Sequence, residues 1–418
     1  MFHTRLRPLG LTVASLAVAC TVAGCSTSDA GSDSSASGGD KQYTFWDPYP
    51  QFDESSDWAK LVASCGDSAG VSIKRTAYDT SDLTNKTLLA AQQGAAPDII
   101  DIDNPVISTL ADAGVLASAD DLGLDTSPFA ENITAAGVLD GKTYGVPIGA
   151  NTLALYYNAD LLADAGVDPA SVTDWDSLNA ALAKVKTAGA TGITFSGIGT
   201  EEGSFQFLPW FWGAGADLKE LDSADAVSAV QLWVDWLDKG YAPNSVLNNT
   251  QTTAWQEFEA GKVGFVENGT WQMGNAAKLG FKYGVISIPA KDGGAAPAPT
   301  GGEFVAAPVQ KDTDRYEATT KIINCLTSPD HLLTTDTTLS YIAPITSVQQ
   351  QQVAKDPSLE PWVTAVDDAK GRTSDNLGTD YPIISEQMWG AFQSAMSGSA
   401  SAESAMTTAQ EAAAAKVK

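Results

Sequence analysis

The chain has 418 residues, and its 51 acidic residues against 24 basic ones give a formal net charge of −27 at pH 7. A surface of this sign repels nucleic acid and anionic lipid headgroups, so the composition excludes a nucleic-acid-binding protein and attachment to membranes by electrostatics. The only histidines are His3 and His331, which excludes a zinc site built from several histidines.

The first residues indicate secretion. MFHTRLR carries positive charge, and the apolar run LGLTVASLAVACTVAG that follows is too short to span a membrane stably. The run ends in Val22-Ala23-Gly24-Cys25, which resembles the lipobox of bacterial lipoproteins, where cleavage before the cysteine leaves it as an acylated N-terminus. We therefore predict a signal peptide over residues 1–24 and lipidation of Cys25. The alternative is an ordinary signal peptide with an incidental cysteine.

Residues 25–41 are rich in Ser, Gly and Asp and contain almost nothing apolar to bury. This composition is typical of a flexible tether. The folded part is therefore predicted to begin near Gln42. Its length exceeds what one hydrophobic core supports, which predicts two domains.

After Gln42 the pattern alternates between strands and helices. YTFWD, VSIKRTAY, PDIIDID and GITFSG are typical of strands, and DESSDWAKLVASCGD, SDLTNKTLLAAQQG and NPVISTLADAG are typical of the helices between them. The segment from Tyr144 to Leu178 then joins a hinge-like turn, a buried strand and a capped amphipathic helix. This order predicts an α/β fold whose sheets carry helices on their faces.

The later segments continue the alternation. SADAVSAVQLWVDWLDKG and TTAWQEFEAGK are predicted helices, VGFVEN a strand and TWQMGNAAKLG a further helix. KYGVISIPAKDGGAAPAPTGGEFVAAP is predicted to hold two strands separated by a surface or interdomain loop. From Arg315 to Lys418 the chain is predicted to be mainly helical, with breaks at its prolines and a terminal helix in SAESAMTTAQEAAAAKVK.

Several of these blocks, in this order, resemble the extracellular sugar-binding proteins of bacterial ABC importers, the family that includes maltose-binding protein. They are PDIIDIDNPVISTLADAGVLA, the segment from Tyr144 to Leu178, FEAGKVGFVENGTW, the return from Pro289 to Pro308, and YPIISEQMWGAFQSAM. The resemblance implies a two-lobed periplasmic-binding-protein-like fold of type II. Each lobe would be a mixed sheet flanked by helices, and the ligand would lie in the cleft between the lobes.

By this resemblance the chain crosses between the lobes near Pro147, Thr300 and Pro344. The first lobe is then expected to comprise residues 42–148 and 301–344, and the second residues 149–300 and 345–418. Loops at the carboxyl ends of parallel strands would gather in the cleft, and short connections would allow the lobes to close around a ligand.

Sugars present apolar C–H faces and a rim of hydroxyls, so their sites combine flat aromatic rings with hydrogen-bonding side chains. Trp46 and Asp47 end the first predicted strand, and Asp103 and Asn104 end the strand PDIIDID, so these four residues are candidates for the cleft. In each pair, one residue has the alternative role of capping the next helix. For Asn104, which precedes Pro105, the two roles have equal weight.

Four further candidates follow from the resemblance. Asn151 stands where the maltose-binding branch has a ligand-contacting carboxylate; an amide departs from that pattern but can still bond to hydroxyls. Trp271 and Trp389 match stacking tryptophans of the family, and Phe205 falls near an aromatic sugar contact. Most other aromatic residues of the segment EGSFQFLPWFWGAG are expected in the core.

Glu303 and the arginines bear on the chemistry of the ligand. Glu303 follows a Gly-Gly pair at the return crossing, where it is a candidate acceptor for hydroxyl protons; the alternative is a solvated hinge carboxylate. After the predicted signal peptide, the chain contains only Arg75, Arg315 and Arg372. Because bidentate capture of a carboxylate or phosphate normally uses arginine, a neutral ligand is favoured.

Two cysteines remain once Cys20 is assigned to the signal peptide and Cys25 to the lipid. They are Cys65 and Cys325, and the resemblance places both in helices of the same lobe. A disulfide between them is therefore predicted in an oxidising compartment. Two separate buried thiols are the alternative.

Together these features predict a monomeric binding protein with no catalytic residues, metal or cofactor. It would be held on the extracytoplasmic face of the cell membrane by its lipid alone, capture a mono- or oligosaccharide and deliver it to the permease subunits of an ABC importer. A secreted glycoside hydrolase, which also needs aromatic platforms and paired carboxylates, is the alternative from another class. A lipid-anchored adhesin and a binding protein of the same fold for a non-sugar solute are further alternatives.

Overall fold

Strand pairing divides the chain between two main sheets. The structure, a computed structural model, describes residues 42–375 and 377–417, without the side chains of residues 80 and 81. The predicted signal peptide (1–24), the lipidation of Cys25 and the tether (25–41) lie outside the described residues. None of the described helices has the length and apolar character needed to cross a membrane.

The strands are short, as is usual for sheets flanked by helices. They are β1 (Gln42–Asp47), β2 (Ser72–Ala77), β3 (Ile99–Asp103), β4 (Val138–Leu139), β5 (Lys142–Thr143), β6 (Val146–Pro147), β7 (Leu153–Asn158), β8 (Thr191–Thr194), β9 (Val263–Gly269), β10 (Tyr283–Ile286), β11 (Pro299–Thr300), β12 (Glu303–Ala306) and β13 (Lys370–Gly371).

The first sheet has the strand order β2-β1-β3-β12-β6. Strand β1 pairs in parallel with β2 and β3, whereas β12 runs antiparallel to β3 and to β6. This register places Glu303, at the start of β12, opposite Asp103 at the end of β3. The carboxyl end of β3 thus lies beside the start of β12, where the chain returns from the other main sheet.

The second sheet has the strand order β10-β7-β9-β8. Strand β7 is antiparallel to both of its neighbours, and β8 is parallel to β9. Two short pairs, β4 with β5 and β11 with β13, lie outside the main sheets. We call the parts of the chain built on the two main sheets the first lobe and the second lobe.

Helices fill most of the remaining chain. They are α1 (Asp57–Ala69), α2 (Thr80–Gln92), α3 (Val106–Asp112), α4 (Ala119–Leu122), α5 (Glu131–Thr134), α6 (Ala159–Asp164), α7 (Trp175–Thr187), α8 (Glu201–Gly213), α9 (Ala224–Asp238), α10 (Gln251–Glu259), α11 (Met273–Ala276), α12 (Tyr316–Leu326), α13 (Pro329–Leu339), α14 (Thr346–Lys355), α15 (Glu360–Asp367), α16 (Tyr381–Met396) and α17 (Ala402–Ala414).

Each main sheet has two apolar faces. In β3, Ile99 packs into one hydrophobic cluster of the first lobe, and Ile100 and Ile102 pack into another. In β7, Leu155 and Tyr156 face two clusters of the second lobe in the same way. Because successive side chains of a strand point to opposite faces, helices cover both faces of each sheet. The predicted α/β fold with flanked mixed sheets is confirmed.

Capping side chains account for several helix starts. Ser56 accepts a hydrogen bond from the backbone N–H of Ala59 at the start of α1. Asp174 and Ser177 form a reciprocal capping box at the start of α7. Each cap satisfies backbone donors that have no partner inside the helix.

The helix predicted for TWQMGNAAKLG ends earlier than expected, at Ala276. The structure has a 3₁₀ turn over Thr270–Gln272 and only the four-residue helix α11 after it. Gly274 and Asn275 have low helix propensity, which accounts for the early end of the helix.

Three chain segments connect the lobes side by side. The first runs between β6 and β7, and the second between β11 and β12. Isolated antiparallel bridges pair Asn151 of the first segment with Gly301 of the second, and Ala150 with Ile342 of a third. Tyr341 packs into a first-lobe cluster and Ile342 into a second-lobe cluster, so the third segment crosses between them. Short adjacent connections of this kind can act as a hinge.

Cys65 in α1 and Cys325 in α12 form a disulfide within the first lobe, with an S–S distance of 2.09 Å. The bridge joins residues that are 260 positions apart in the sequence. His331 lies beside it, and its Nδ1–H donates to the carbonyl oxygen of Cys325 at 2.8 Å. This group fixes helices of one lobe and is not part of the junction between the lobes.

Candidate ligand-binding site between the lobes

The carboxyl end of β3 meets the second crossing segment. Asn104 donates from its backbone N–H to the carbonyl oxygen of Gly302 at 3.2 Å and from Nδ2 to that of Thr300 at 3.1 Å. Its side chain is buried and does not cap α3. Asn104 therefore fixes the end of β3, whereas the neighbouring Asp103 keeps 22 % of its side chain exposed at the junction.

Arg372 links the two lobes at this junction. Its Nη2 donates to Oδ1 of Asp103 at 2.9 Å and to Oδ1 of Asn104 at 3.3 Å, and its Nη1 donates to Oε1 of Glu201 at 2.8 Å. The side chain of Arg372 is only 3 % exposed. Burial opposes its charge, but the two carboxylates outweigh burial and hold the pKa of Arg372 above its usual range.

Glu201 is held from the other side by α16. Tyr381 donates to its Oε1 at 2.6 Å, and Ser385 donates to its Oε2. Tyr381, Ser385 and Trp389 are spaced four residues apart, so they share one face of α16. Trp389 is half-buried, and this spacing places it one turn beyond the groups that bind Glu201.

Two aromatic rings lie beside this ionic group. The ring centroids of Phe205, in α8, and Trp271, after β9, are 6.2 Å apart with an interplanar angle of 48°. The guanidinium carbon of Arg372 lies 4.9 Å from the centroid of Phe205. Phe205 is buried and Trp271 is half-buried, so Trp271 is the ring with more surface left for a ligand.

Asn151 and the second crossing segment make a close contact here. A Cβ at Gly301 would lie 2.0 Å from Oδ1 of Asn151 and 3.0 Å from Phe205. Gly302 has a φ of +108°, which side chains other than glycine's rarely adopt. The glycine pair predicted at this crossing is therefore required for the amide and the aromatic ring to approach the chain.

Glu303 lies at the return crossing, where the register places it opposite Asp103. The residue is half-buried, and Tyr341 donates a hydrogen bond to Oε2 of its carboxylate. Burial, followed by repulsion from Asp103, raises the pKa of Glu303 from 4.5 to about 7, although the bond from Tyr341 acts in the opposite direction. Glu303 therefore joins the second crossing segment to the third.

Asp47 is fully buried inside the first lobe, whereas the neighbouring Trp46 is half-buried. Both oxygens of Asp47 accept from Arg75, and its Oδ2 also accepts from the indole N–H of Trp58 at 3.1 Å. Trp46 packs edge-on against Tyr78, with 5.2 Å between the centroids. The expectation that Asp47 reaches the cleft is wrong, because the buried guanidinium of Arg75 binds its carboxylate.

The structure thus brings together Asp103, Asn104, Asn151, Phe205 and Trp271, with Trp389 on an adjoining helix face. Sequence reasoning missed Glu201, Arg372, Tyr381 and Ser385 as members of the site. The four-residue spacing along α16 was a signal for part of this set. Nothing near Arg372 in the sequence indicates its carboxylate partners, which are 269 and 171 positions away.

A groove of about 610 Å³ adjoins Arg372 on the side of Thr373 and Ser374. It is lined by Thr126, Ser127, Phe129, Glu131, Thr134, Ala135, Val138, Leu139, Asp140, Gly141, Thr373, Ser374, Asp375 and Gly378. None of the candidate residues named from the sequence lines it. We therefore place the candidate site at the cluster formed by Arg372 with its two carboxylates and by the rings of Phe205 and Trp271, and not in this groove.

The cluster offers both kinds of contact that a polyhydroxylated ligand needs. Phe205, Trp271 and Trp389 supply aromatic faces, and Asn151 supplies an amide that can both donate and accept. Asp103 and Glu201 remain 22 % and 36 % exposed, so each carboxylate retains capacity to accept from hydroxyls. A few convergent polar groups beside aromatic rings are the usual lining of a small-molecule site.

Comparison with known proteins gives one family. The model of the bacterial extracellular solute-binding protein family matches residues 60–361. A Brucella abortus protein described as a binding protein is 34% identical over 179 residues, which is 40% of this chain and 43% of that one. The chain thus spans less than half the length of the first curated relatives it matches.

Two further relatives have more specific descriptions. A maltooligosaccharide ABC transporter solute-binding lipoprotein of Streptococcus pneumoniae is 26% identical over 276 residues, or 63% of each chain. The crystal structure of a cyclic alpha-maltosyl-1,6-maltose binding protein from Arthrobacter globiformis superposes with a TM-score of 0.74 at 25% identity, covering 90% of this chain and 99% of that one. The family model covers most of the chain and the fold agrees over nine tenths of it, so this protein belongs to the bacterial extracellular solute-binding protein family.

Proposed function

We propose that this protein captures a neutral carbohydrate between its lobes and delivers it to the permease of an ABC importer. The observation that carries the proposal is the pairing of Phe205 and Trp271 next to Asn151 and Asp103, where the lobes join. Aromatic faces beside amide and carboxylate groups match the apolar faces and hydroxyl rims of sugars. The descriptions of the Streptococcus and Arthrobacter relatives support the same ligand class.

The charges at the site favour a ligand without an acidic group. Arg372 is the cation at the junction, and Asp103 and Glu201 already use its two terminal nitrogens. A ligand carboxylate or phosphate would have to displace one of them and would face the other. A neutral ligand avoids both penalties, because hydroxyls can donate to the free lone pairs of the carboxylates.

Transport would follow from movement of the lobes. We infer lobe boundaries at 42–148 with 301–344 and at 149–300 with 345–418, joined by the three crossing segments. Ligand bound between the lobes would shift the population towards a closed form, which the permease then recognises. An acylated Cys25 would keep the protein on the extracytoplasmic face of the membrane as a monomer.

Catalysis has no part in this proposal. The protein would return its ligand unchanged, as expected of a carrier whose binding energy serves to close the lobes. We assign Asp103 and Glu201 as hydroxyl acceptors because both form ion pairs with Arg372. They would not act as the acid and the nucleophile of a hydrolase.

A thermal-shift screen tests the ligand class directly. The chain carrying Cys25→Ser is heated with mono- and oligosaccharides, with amino acids and organic phosphates as controls. At one hundred times its dissociation constant, a ligand stabilises the folded state by about 2.7 kcal/mol, which raises Tm by several degrees. We expect one carbohydrate class to shift Tm and to be recovered intact by chromatography. A shift with non-sugar solutes alone would overturn the ligand class, and consumption of the oligosaccharide would overturn the carrier.

A further inference from the structure

We propose that Arg372 is a positioning residue that holds the two lobes together before any ligand binds. The inference rests on the proposed function only in that the lobes must be able to open and close. We call Arg372 with Asp103, Asn104 and Glu201 the Arg372 clasp.

The clasp connects groups that belong to different lobes. Asp103 ends β3 of the first sheet, whereas Glu201 begins α8, which packs into the large cluster under the second sheet. Arg372 itself lies between Val366 and Leu377, which both pack into second-lobe clusters. Arg372 therefore extends from the second lobe across the junction to Asp103 of the first lobe. Its bond to Glu201, within the second lobe, fixes the orientation of the guanidinium.

The other two described arginines have no such role. Arg75 in β2 pairs with Asp47 in the neighbouring strand β1. Arg315 pairs with Asp98, just before β3, and stacks over a ring of β1. Both ion pairs lie within the first lobe, so they stabilise that lobe in the open and closed forms alike. They are natural controls for the loss of an arginine–carboxylate pair.

Charge makes the clasp selective for the closed form. With Arg372 in place, one cation lies between two carboxylates from opposite lobes. Without it, Asp103 and Glu201 would face each other at a partly buried junction, and opening would let water solvate each of them more fully. Loss of the guanidinium therefore disfavours closure much more than it disfavours the fold of either lobe.

Not every polar group at the clasp has a hydrogen-bond partner among the described residues. The Nε–H of Arg372 is buried and has no hydrogen-bond partner among the described residues, and the hydroxyl of Thr300 at the same junction is also unpartnered. Unsatisfied buried groups destabilise the arrangement that buries them. The closed form is thus favoured without being locked, which leaves a ligand able to change the balance between the forms.

The distance between the lobes in the ligand-free protein is the direct test. In the chain carrying Cys25→Ser, nitroxide labels are attached at Lys74→Cys in β2 and Lys278→Cys after α11, both exposed positions in different lobes. Pulsed electron paramagnetic resonance then gives the distance distribution. We expect the parent protein to populate the distance of the present structure and Arg372→Gln to shift most of the population to longer distances. Arg315→Gln should leave the distribution unchanged.

Ligand affinity supplies the second readout. Because only the closed form binds fully, a lower closed population raises the apparent Kd in proportion. We expect Arg372→Gln to weaken binding of the sugar found in the screen at least tenfold, with Arg372→Lys between it and the parent protein. Lysine keeps the charge but cannot bond both carboxylates through a fixed fork.

The outcomes separate this inference from the proposed function. If Arg372→Gln does not fold, Glu201→Gln tests the same clasp, because it releases Arg372 from its orienting group while keeping hydrogen-bonding capacity. Identical distance distributions for the parent protein and for each folded clasp variant would overturn the inference. A shifted distribution in a protein that binds no sugar would support the clasp and overturn only the ligand class.

Discussion

At the scale of single residues, Glu303 is the group at the hinge whose charge changes near neutral pH. Its half-buried carboxylate lies between Asp103 and the hydroxyl of Tyr341, and loss of hydration is the main reason that its pKa rises to about 7. Asp101, on the adjacent strand, is buried, and both of its oxygens lack a partner among the described residues. On the hinge side of the first lobe, the folded protein thus favours the protonated form of these two carboxyl groups.

This arrangement predicts a loss of stability as the pH rises. The folded pKa of Glu303 lies above its usual 4.5, so its contribution is fully present below pH 4.5 and is lost as the pH rises through 7. The stability of Glu303→Gln relative to the parent protein should increase by about 2 to 3 kcal/mol between pH 4.5 and 8. Urea denaturation across this range measures it. A difference in unfolding free energy that stays constant with pH would contradict the prediction. Glu317→Gln, at an exposed carboxylate on α12, is the control.

Trp271 is the single side chain with the most to contribute to ligand contact. Its ring covers Gly269 and approaches Phe205, while one part stays open. Trp271→Ala should weaken sugar binding about ten- to hundredfold, since an aromatic face and its buried area are lost. Isothermal titration calorimetry gives the dissociation constant. Trp271→Phe should recover part of the affinity, and Tyr283→Ala, at an exposed aromatic residue of the same lobe, should have no effect. Equal affinity in the alanine variant would exclude stacking at this ring.

At the scale of elements, the disulfide between α1 and α12 stabilises the first lobe. It closes a loop of 260 residues, and removing a bridge that restricts the unfolded chain typically lowers stability by about 2 to 5 kcal/mol. The double variant Cys65→Ser, Cys325→Ser should therefore unfold at lower urea concentration, with nearly unchanged ligand affinity because the bridge lies away from the junction. Reductant should weaken the parent protein to the same level and leave the variant unaffected. A large loss of affinity in the variant would show that the bridge also positions the site.

Elements with a strong local pattern could be predicted from the sequence. The alternation in YTFWD and PDIIDID corresponds to β1 and β3, and the capping pair Asp174 and Ser177 marks the start of α7. Side-chain partners could not be predicted in this way. Asp47 turns into the lobe because Arg75 is on the adjacent strand, and Arg372 finds Asp103 across 269 positions. Both contacts are set by tertiary packing, which leaves no periodic signal near either residue.

At the scale of the whole molecule, the two lobes of the described chain meet at three adjacent crossing segments and at the ion pairs of Arg372. The segments are paired by isolated bridges, and the glycine pair lets the second segment pack against Asn151 and Phe205. On our proposals, the clasp and the ligand would act on the same open and closed equilibrium. Affinity in such a protein depends on the ligand contacts and also on how far the empty protein is already closed.

The net charge of −27 gives a further test of the ligand class at this scale. Salt screens the surface charges, since the Debye length falls from about 10 Å at 0.1 M to about 3 Å at 1 M. Raising NaCl from about 50 mM to about 500 mM should raise Tm, because it relieves repulsion among the acidic residues. The Kd of a neutral sugar should change less than about twofold over this range, whereas an anionic ligand should bind more tightly with salt and a cationic one more weakly. Calorimetric titration at the two concentrations measures the effect, and the accompanying rise in Tm verifies that the charges are being screened. A strong salt dependence of the physiological ligand's affinity would show that the site binds a charged group, and would count against the neutral carbohydrate.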